Sequence, residues 1–301
     1  MSVTGERPTL PAVEPDTPRG RRQARRPHKA LHRPNLIGGA GGWIWLAIII
    51  LPIYYVAITS VKSQAGYFAT NPLLPSLEPT LENYLLVLDA GFLRYLLNSV
   101  IVTIGTVIPA LVLSFMAAYA IVRGRGKFIG FTNSVFLMGL AIPLQATIVP
   151  IYLIITRLQL YDTLLALILP SAAFALPISV LILSNFMRNI PSELFESMRL
   201  DGASNFSIMW HLVLPMTKPA VVTVGIYNAL QVWNAFLFPL ILTQSPENRV
   251  LPLSLWAFQG EFSVNVPAIL ASVALSTLPL LVIYIFGRRQ LLGGLTAGFG
   301  K

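Results

Sequence analysis

There is no cysteine among the 301 residues, which excludes disulfides and thiolate metal sites. Charge is scarce: 11% of residues are Asp, Glu, Lys or Arg, against about 25% in soluble domains. The three histidines, His28, His32 and His211, have no metal-ligand spacing. No phosphate-cradling loop is present either, since GRGK at 124–127 lacks the upstream glycine and the Ser/Thr that would hold magnesium. The apolar runs contain no Ser/His/Asp grouping, no carboxylate pair, and no Asp, Glu, Lys or Arg well inside them. A membrane-bound enzyme therefore has no candidate catalytic set. A proton-driven transporter lacks its usual intramembrane relay, although sodium coupling through neutral oxygens stays open. If this chain moves a solute uphill, the energy must come from elsewhere.

What is abundant is apolar sequence, at 55% hydrophobic residues and a mean hydropathy of +0.70. Six runs, at about 43–61, 95–122, 128–156, 163–186, 218–242 and 264–287, each reach the roughly 20 residues that span ~30 Å of hydrocarbon. The expected fold class is all-α: a polytopic membrane protein with six transmembrane helices. Prolines interrupt the third and fourth runs, which lipid-embedded helices tolerate where neighbours satisfy the freed carbonyls. Residues 1–42, with RGRRQARRPHK and GGAGG, read as a disordered basic tail ahead of a membrane domain over 43–301 with its core at about 94–287. No cleavable export signal is evident.

The net charge of +9 is accounted for by asymmetry across a membrane rather than by a nucleic-acid partner. With the N-terminus inside, 17 of the 21 Lys and Arg fall on inner segments; Lys62, Arg94, Arg157 and Arg249 fall outside. That split predicts both termini cytosolic. The largest inner loop, 187–219, is polar. It reads as a helix over SELFESMRL with Ser192 as its cap, a break at Asp201-Gly202, and a second short helix from about Ser204 that Pro215 closes. The neutral polar residues left in or near the apolar runs, Asn98, Gln145, Asn228, Gln231 and Asn234, with Tyr227 and Trp233, are candidates for a translocation path. Amides and aromatic faces suit a sugar; the alternative use of buried amides is hydrogen bonding between helices.

The 187–219 loop carries a resemblance. Glu196-Ser197-Met198, then Asp201-Gly202-Ala203, then Leu212-Val213-Leu214-Pro215 resemble the EAA loop of binding-protein-dependent ABC importer permeases. Ser197 and Met198 replace the usual alanines, and Leu212 the isoleucine. NPLLP at 71–75, PTLENY at 79–84, RYLLNS at 94–99, AAYA at 117–120, WNAFL at 233–237, FQG at 258–260 and GLTAG at 294–298 resemble the carbohydrate branch, over about 40–301. Ala235 stands where an acid is common, and Phe299-Gly300 depart from the usual small-residue ending. The type is similar to the smaller of the two maltose-transporter permeases.

The resemblance implies a sugar permease subunit that is not itself an enzyme. It implies pairing with a homologous permease, and a cytosolic ABC ATPase dimer, holding ATP and Mg, that docks on Glu196 through Ala203. An extracytoplasmic solute-binding protein would deliver a disaccharide or short oligosaccharide. No cofactor is expected on this chain. Alternatives are a permease for a polyol or glycerol phosphate, and a stand-alone secondary transporter, which should show inverted halves with paired broken helices.

Overall fold

The computed structural model describes residues 36–259 and 264–299, so the expected tail over 1–35, loop residues 260–263 and the last two residues lie outside it. The described residues are helical, with no strand among them beyond one Gln259–Val264 bridge. Two units are distinguished, 1–48 and 49–301. The first is described only over 36–48, the opening half of α1 (Leu36–Ser60). This helix starts earlier than the boundary expected at 43 and takes in Gly38, Gly39, Gly41 and Gly42. Glycine costs a helix about 1 kcal/mol in water, but backbone entering hydrocarbon can satisfy its N–H and C=O groups only within the helix.

In the second unit, α2 (Gln64–Ala69) and α3 (Glu82–Asp89) follow. Lys62 is 1% exposed, and its Nζ donates to the Asn71 carbonyl at 2.9 Å. Asn83 Nδ2 donates to the carbonyls of Ser60 and Lys62 at 2.8 and 2.7 Å, tying α3 to the end of α1. The second apolar run becomes α4 (Phe92–Arg123). The third is split into α5 (Lys127–Gly139) and α6 (Leu144–Arg157), bent by 105°. Pro143 sits at the break, with no N–H to continue a helix and a ring that pushes Ile142 out of helical conformation. α7 (Leu164–Arg188) packs closely along α4. At Gly105 an added Cβ would stand 2.8 Å from Ile168 Cδ1 and 3.3 Å from its Cγ1, so a larger residue would require that side chain to shift.

The chain continues through α8 (Ser192–Leu200), α9 (Asn205–Ile208), a π-helical turn (Met209–Val213) and α10 (Leu214–Trp233). Then come α11 (Leu237–Leu242), α12 (Leu251–Ser254) and α13 (Val266–Phe299). The fifth apolar run is thus not one continuous helix but stops at Trp233 and restarts at Leu237. By length and composition three described helices, α1, α4 and α7, can cross a membrane, or four if the bent pair α5–α6 counts as one span.

Three apolar cores fix this arrangement. One joins Phe115 and Ala118 of α4 and Leu183 and Met187 of α7 to Phe195, Met209, Val213 and Val224. A second gathers Phe92 and Tyr95 of α4, Trp233, Leu251 and Ala268. The third packs Val102, Ile155 and Leu167 against Phe238 and Leu242.

Candidate functional site

The polar loop is held to the helices through buried Ile190, Phe195, Ile208, Met209 and Val213. Phe195 is the single buried side chain of α8, at 2% exposure. The Arg123 guanidinium, at the end of α4, lies 3.9 Å above its ring centroid, a cation–π contact. Met198 and Ala203 pack part-buried against the same core, while Glu196, Ser197, Asp201 and Gly202 are exposed. Glu193 in the first turn and Arg199 in the last both complement the helix dipole. The expected cap is absent: Ser192 is the first helical residue and Pro191 precedes it without a side-chain cap bond. The second helix has the cap instead, Ser204 accepting from the Ser207 amide at 3.2 Å.

The turn at Asp201-Gly202 is closed by two crossed bonds. The Gly202 amide donates to Arg199 O at 3.0 Å and the Ala203 amide to Met198 O at 2.9 Å, the Schellman pattern. Gly202 has φ +79°, with no atom within 4 Å of where a Cβ would sit. Its constraint is therefore backbone conformation, not space. Beside it Leu200 is 89% exposed, an apolar side chain on a charged knuckle that the sequence motif does not single out.

Pro215 does not close the second helix as expected. The backbone stays helical from Asn205 to Trp233, with Pro215 at the start of α10. A proline ring clashes with the carbonyl four residues back, here His211, and the wider π turn at Met209–Val213 absorbs that clash. Leu214 is part-buried and Pro215 exposed. Phe206 and Trp210 stack edge-to-face at 6.0 Å on the exposed side, while Met209 and Val213 are buried.

That continuous helix leads into a cavity of about 340 Å³ between α7, α10 and α11. Tyr227, Asn228 and Gln231 line it with Phe174, Phe236 and Phe238. Asn228 is buried and donates to Ser179 Oγ at 2.8 Å. No lining residue is charged. Trp233 and Asn234 belong to a second cavity beyond the helix break. Gln145 is exposed and lines neither; its neighbour Leu144 reaches the first. Asn98 is turned elsewhere: its Nδ2 donates to the carbonyls of Glu247 and Arg249, both at 2.8 Å. Nearby, Ser99 Oγ accepts from the Leu251 amide at 2.9 Å. Neither residue's backbone-directed role was visible from its type or spacing.

The loop that Asn98 holds is fixed from a second side by Asp162, at φ +58° between α6 and α7. Its Oδ1 accepts from the amides of Gln244 and Ser245 at 2.9 and 3.1 Å, and its own carbonyl accepts from Asn248 Nδ2 at 2.6 Å. Burial works against ionisation, but these hydrogen bonds outweigh it and hold the carboxyl below its ordinary value of 3.8. With a depressed folded value, the tie is complete above pH ~3.8 and is lost as pH falls through the lower folded value. Asp162→Ala should strain the left-handed backbone by about 1–2 kcal/mol and orphan two amides. We expect lower amide protection factors over 243–250 in Asp162→Ala, little change in Asp162→Asn, and, once the intrinsic pH dependence of exchange is divided out, no wild-type change between pH 5 and 8. Unchanged protection in the alanine variant would show the tie to be dispensable.

The fold and this geometry define a helical protein with helices apolar and long enough to cross a membrane and an exposed knuckle just ahead of a helix that runs unbroken to a cavity wall. Residues 91–291 match the model of the binding-protein-dependent transport system inner membrane component family, and the chain belongs to that family. It is 41% identical over 86% of its length, and 94% of the relative's, to ORF2 of Caldicellulosiruptor sp. (strain Rt8B.4), named as an ABC transporter permease protein. It is 31% identical to the diacetylchitobiose uptake system permease protein NgcG of Streptomyces coelicolor, over 85% of both chains. Its fold is similar to a chain of a bacterial ABC transporter involved in alginate import, with a TM-score of 0.75 over 84% of this chain and 95% of that one, at 20% identity.

Proposed function

We propose that this chain is a permease subunit of an ATP-driven sugar importer and forms half of a translocation pathway with a homologous permease. The observation that carries the reading is the unbroken helix from Asn205 to Trp233, which joins the knuckle at Glu196–Ala203 to the cavity lined by Tyr227, Asn228 and Gln231. A cytosolic ABC ATPase dimer would grip Glu196, Ser197, Asp201 and Gly202, with Met198 and Ala203 anchoring the turn beneath them. Leu214 and Pro215 would lie within the transmitting helix, just past its π turn. Hydrolysis, with its ATP and Mg, belongs to that partner, and an external solute-binding protein delivers the solute. In this reading residues 43–301 form the membrane domain, α10–α11 and α13 complete six spans, and both termini are cytosolic. The diacetylchitobiose relative supports a sugar, and the uncharged cavity favours a neutral one over an acidic one.

Uptake by proteoliposomes holding the permease pair, the ATPase and the binding protein should require ATP inside the compartment that holds the ATPase. Vesicles without the ATPase should show none. Uptake that persists without it would overturn the importer reading in favour of a stand-alone secondary transporter.

A further inference from the structure

The break after Trp233 separates two cavities. The chain turns at Asn234, whose amide N–H and Nδ2 both donate to Leu230 O, at 3.2 and 2.8 Å. Phe236, next along, lines the cavities on both sides. The second, of about 390 Å³, lies between this break, the segment from α12 to Gln259, and α13. Both sit in the lower part of the roughly 300–1,000 Å³ range of small-ligand sites.

Its walls have a definite chemistry. Trp233 forms one side and the half-exposed Trp256 another, with the Trp256 ring 5.9 Å from Phe236 at 59°. Because Asn234 spends its Nδ2 on Leu230, its exposed Oδ1 is left to accept. Ser276 and Thr277 likewise spend their protons on the carbonyls of Ser272 and Val273, at 2.7 and 2.8 Å, leaving acceptor lone pairs. The exposed side-chain amide of Gln259 makes no hydrogen bond to the described residues and can both donate and accept. No lining residue is charged. The accessible Trp256 indole face, backed by the buried Trp233, with neutral acceptors and one amide suits an uncharged polyhydroxylated ring. The indole face takes its CH groups, and the acceptors take its hydroxyl protons.

We propose that this second cavity is a further sugar subsite, so that the ligand is a neutral oligosaccharide with units on both sides of Phe236. The proposal rests on the sugar-importer reading above and adds chain length to it. In the complete reconstituted complex at saturating binding protein, uptake is measured for N-acetylchito-oligosaccharides and malto-oligosaccharides of one to five units. Trp256→Ala should lower the ratio of long-chain to short-chain uptake by about tenfold. Thr277→Trp, which fills the cavity from an exposed position and leaves the aromatic wall intact, should do the same. Tyr227→Ala, in the first cavity, should lower uptake at every length. A ratio unchanged in both Trp256→Ala and Thr277→Trp, while wild type transports, overturns the subsite alone. Failure of wild type on every sugar removes the sugar reading and the subsite together.

Discussion

Gly202→Asp should abolish ATP-coupled uptake while the chain still folds and inserts. The turn needs a left-handed residue, and an L side chain there costs about 1–2 kcal/mol, with Asp among the better tolerated. No neighbour obstructs the new side chain. Strain of that size leaves a protein with three separate cores intact. What changes is the surface: a second carboxylate beside Asp201 on the exposed knuckle, where a partner would have to desolvate it. The measurements are ATPase co-purification, uptake and thermal stability. Loss of the first two with a nearly unchanged melting temperature is the expected outcome. Normal ATPase capture by the aspartate variant would remove the knuckle from the coupling role.

Phe195→Ala should act differently, by releasing the knuckle. Phe195 is the only buried residue of α8, and truncating a buried phenylalanine costs about 3–5 kcal/mol. The same change takes the aromatic face from under Arg123, whose Nε has no hydrogen-bond partner among the described residues. We expect protease cleavage within 192–203 to rise at least tenfold and coupling to fall with it. Phe195→Tyr, which keeps a ring, should recover most of both. If cleavage stays at the wild-type rate in the alanine variant, α8 is anchored by something other than this contact.

The helix–turn–helix at 192–208 was readable because each part of it has a local cause: an apolar spacing of four, a glycine at the break, a serine ahead of the next turn. What escaped the sequence depended on partners distant in the chain. Asn98 looks like a pore amide among apolar neighbours, yet it meets carbonyls 149 and 151 residues away. Arg123 counts only as a positive charge until Phe195 arrives beneath it. Pro215 reads as a terminator because a proline conflicts with an α-helical turn; a π turn one step earlier removes the conflict. The fifth apolar run hid its break because Asn234-Ala235-Phe236 contains no glycine or proline. Glycines 38–42 misled in the opposite sense, since helix propensity measured in water does not carry into lipid.

One helix is gripped at both ends. Near its start α4 holds the 247–251 strap through Asn98 and Ser99, and at its finish Arg123 rests on Phe195. At about 1.5 Å per residue its 32 residues make a rod of about 48 Å, so pivoting it by about 5° at one end swings the other through about 4 Å. That swing exceeds the 2.8 Å length of each Asn98 hydrogen bond. A small rotation at the Phe195 end must therefore either drag the strap along or unfasten it.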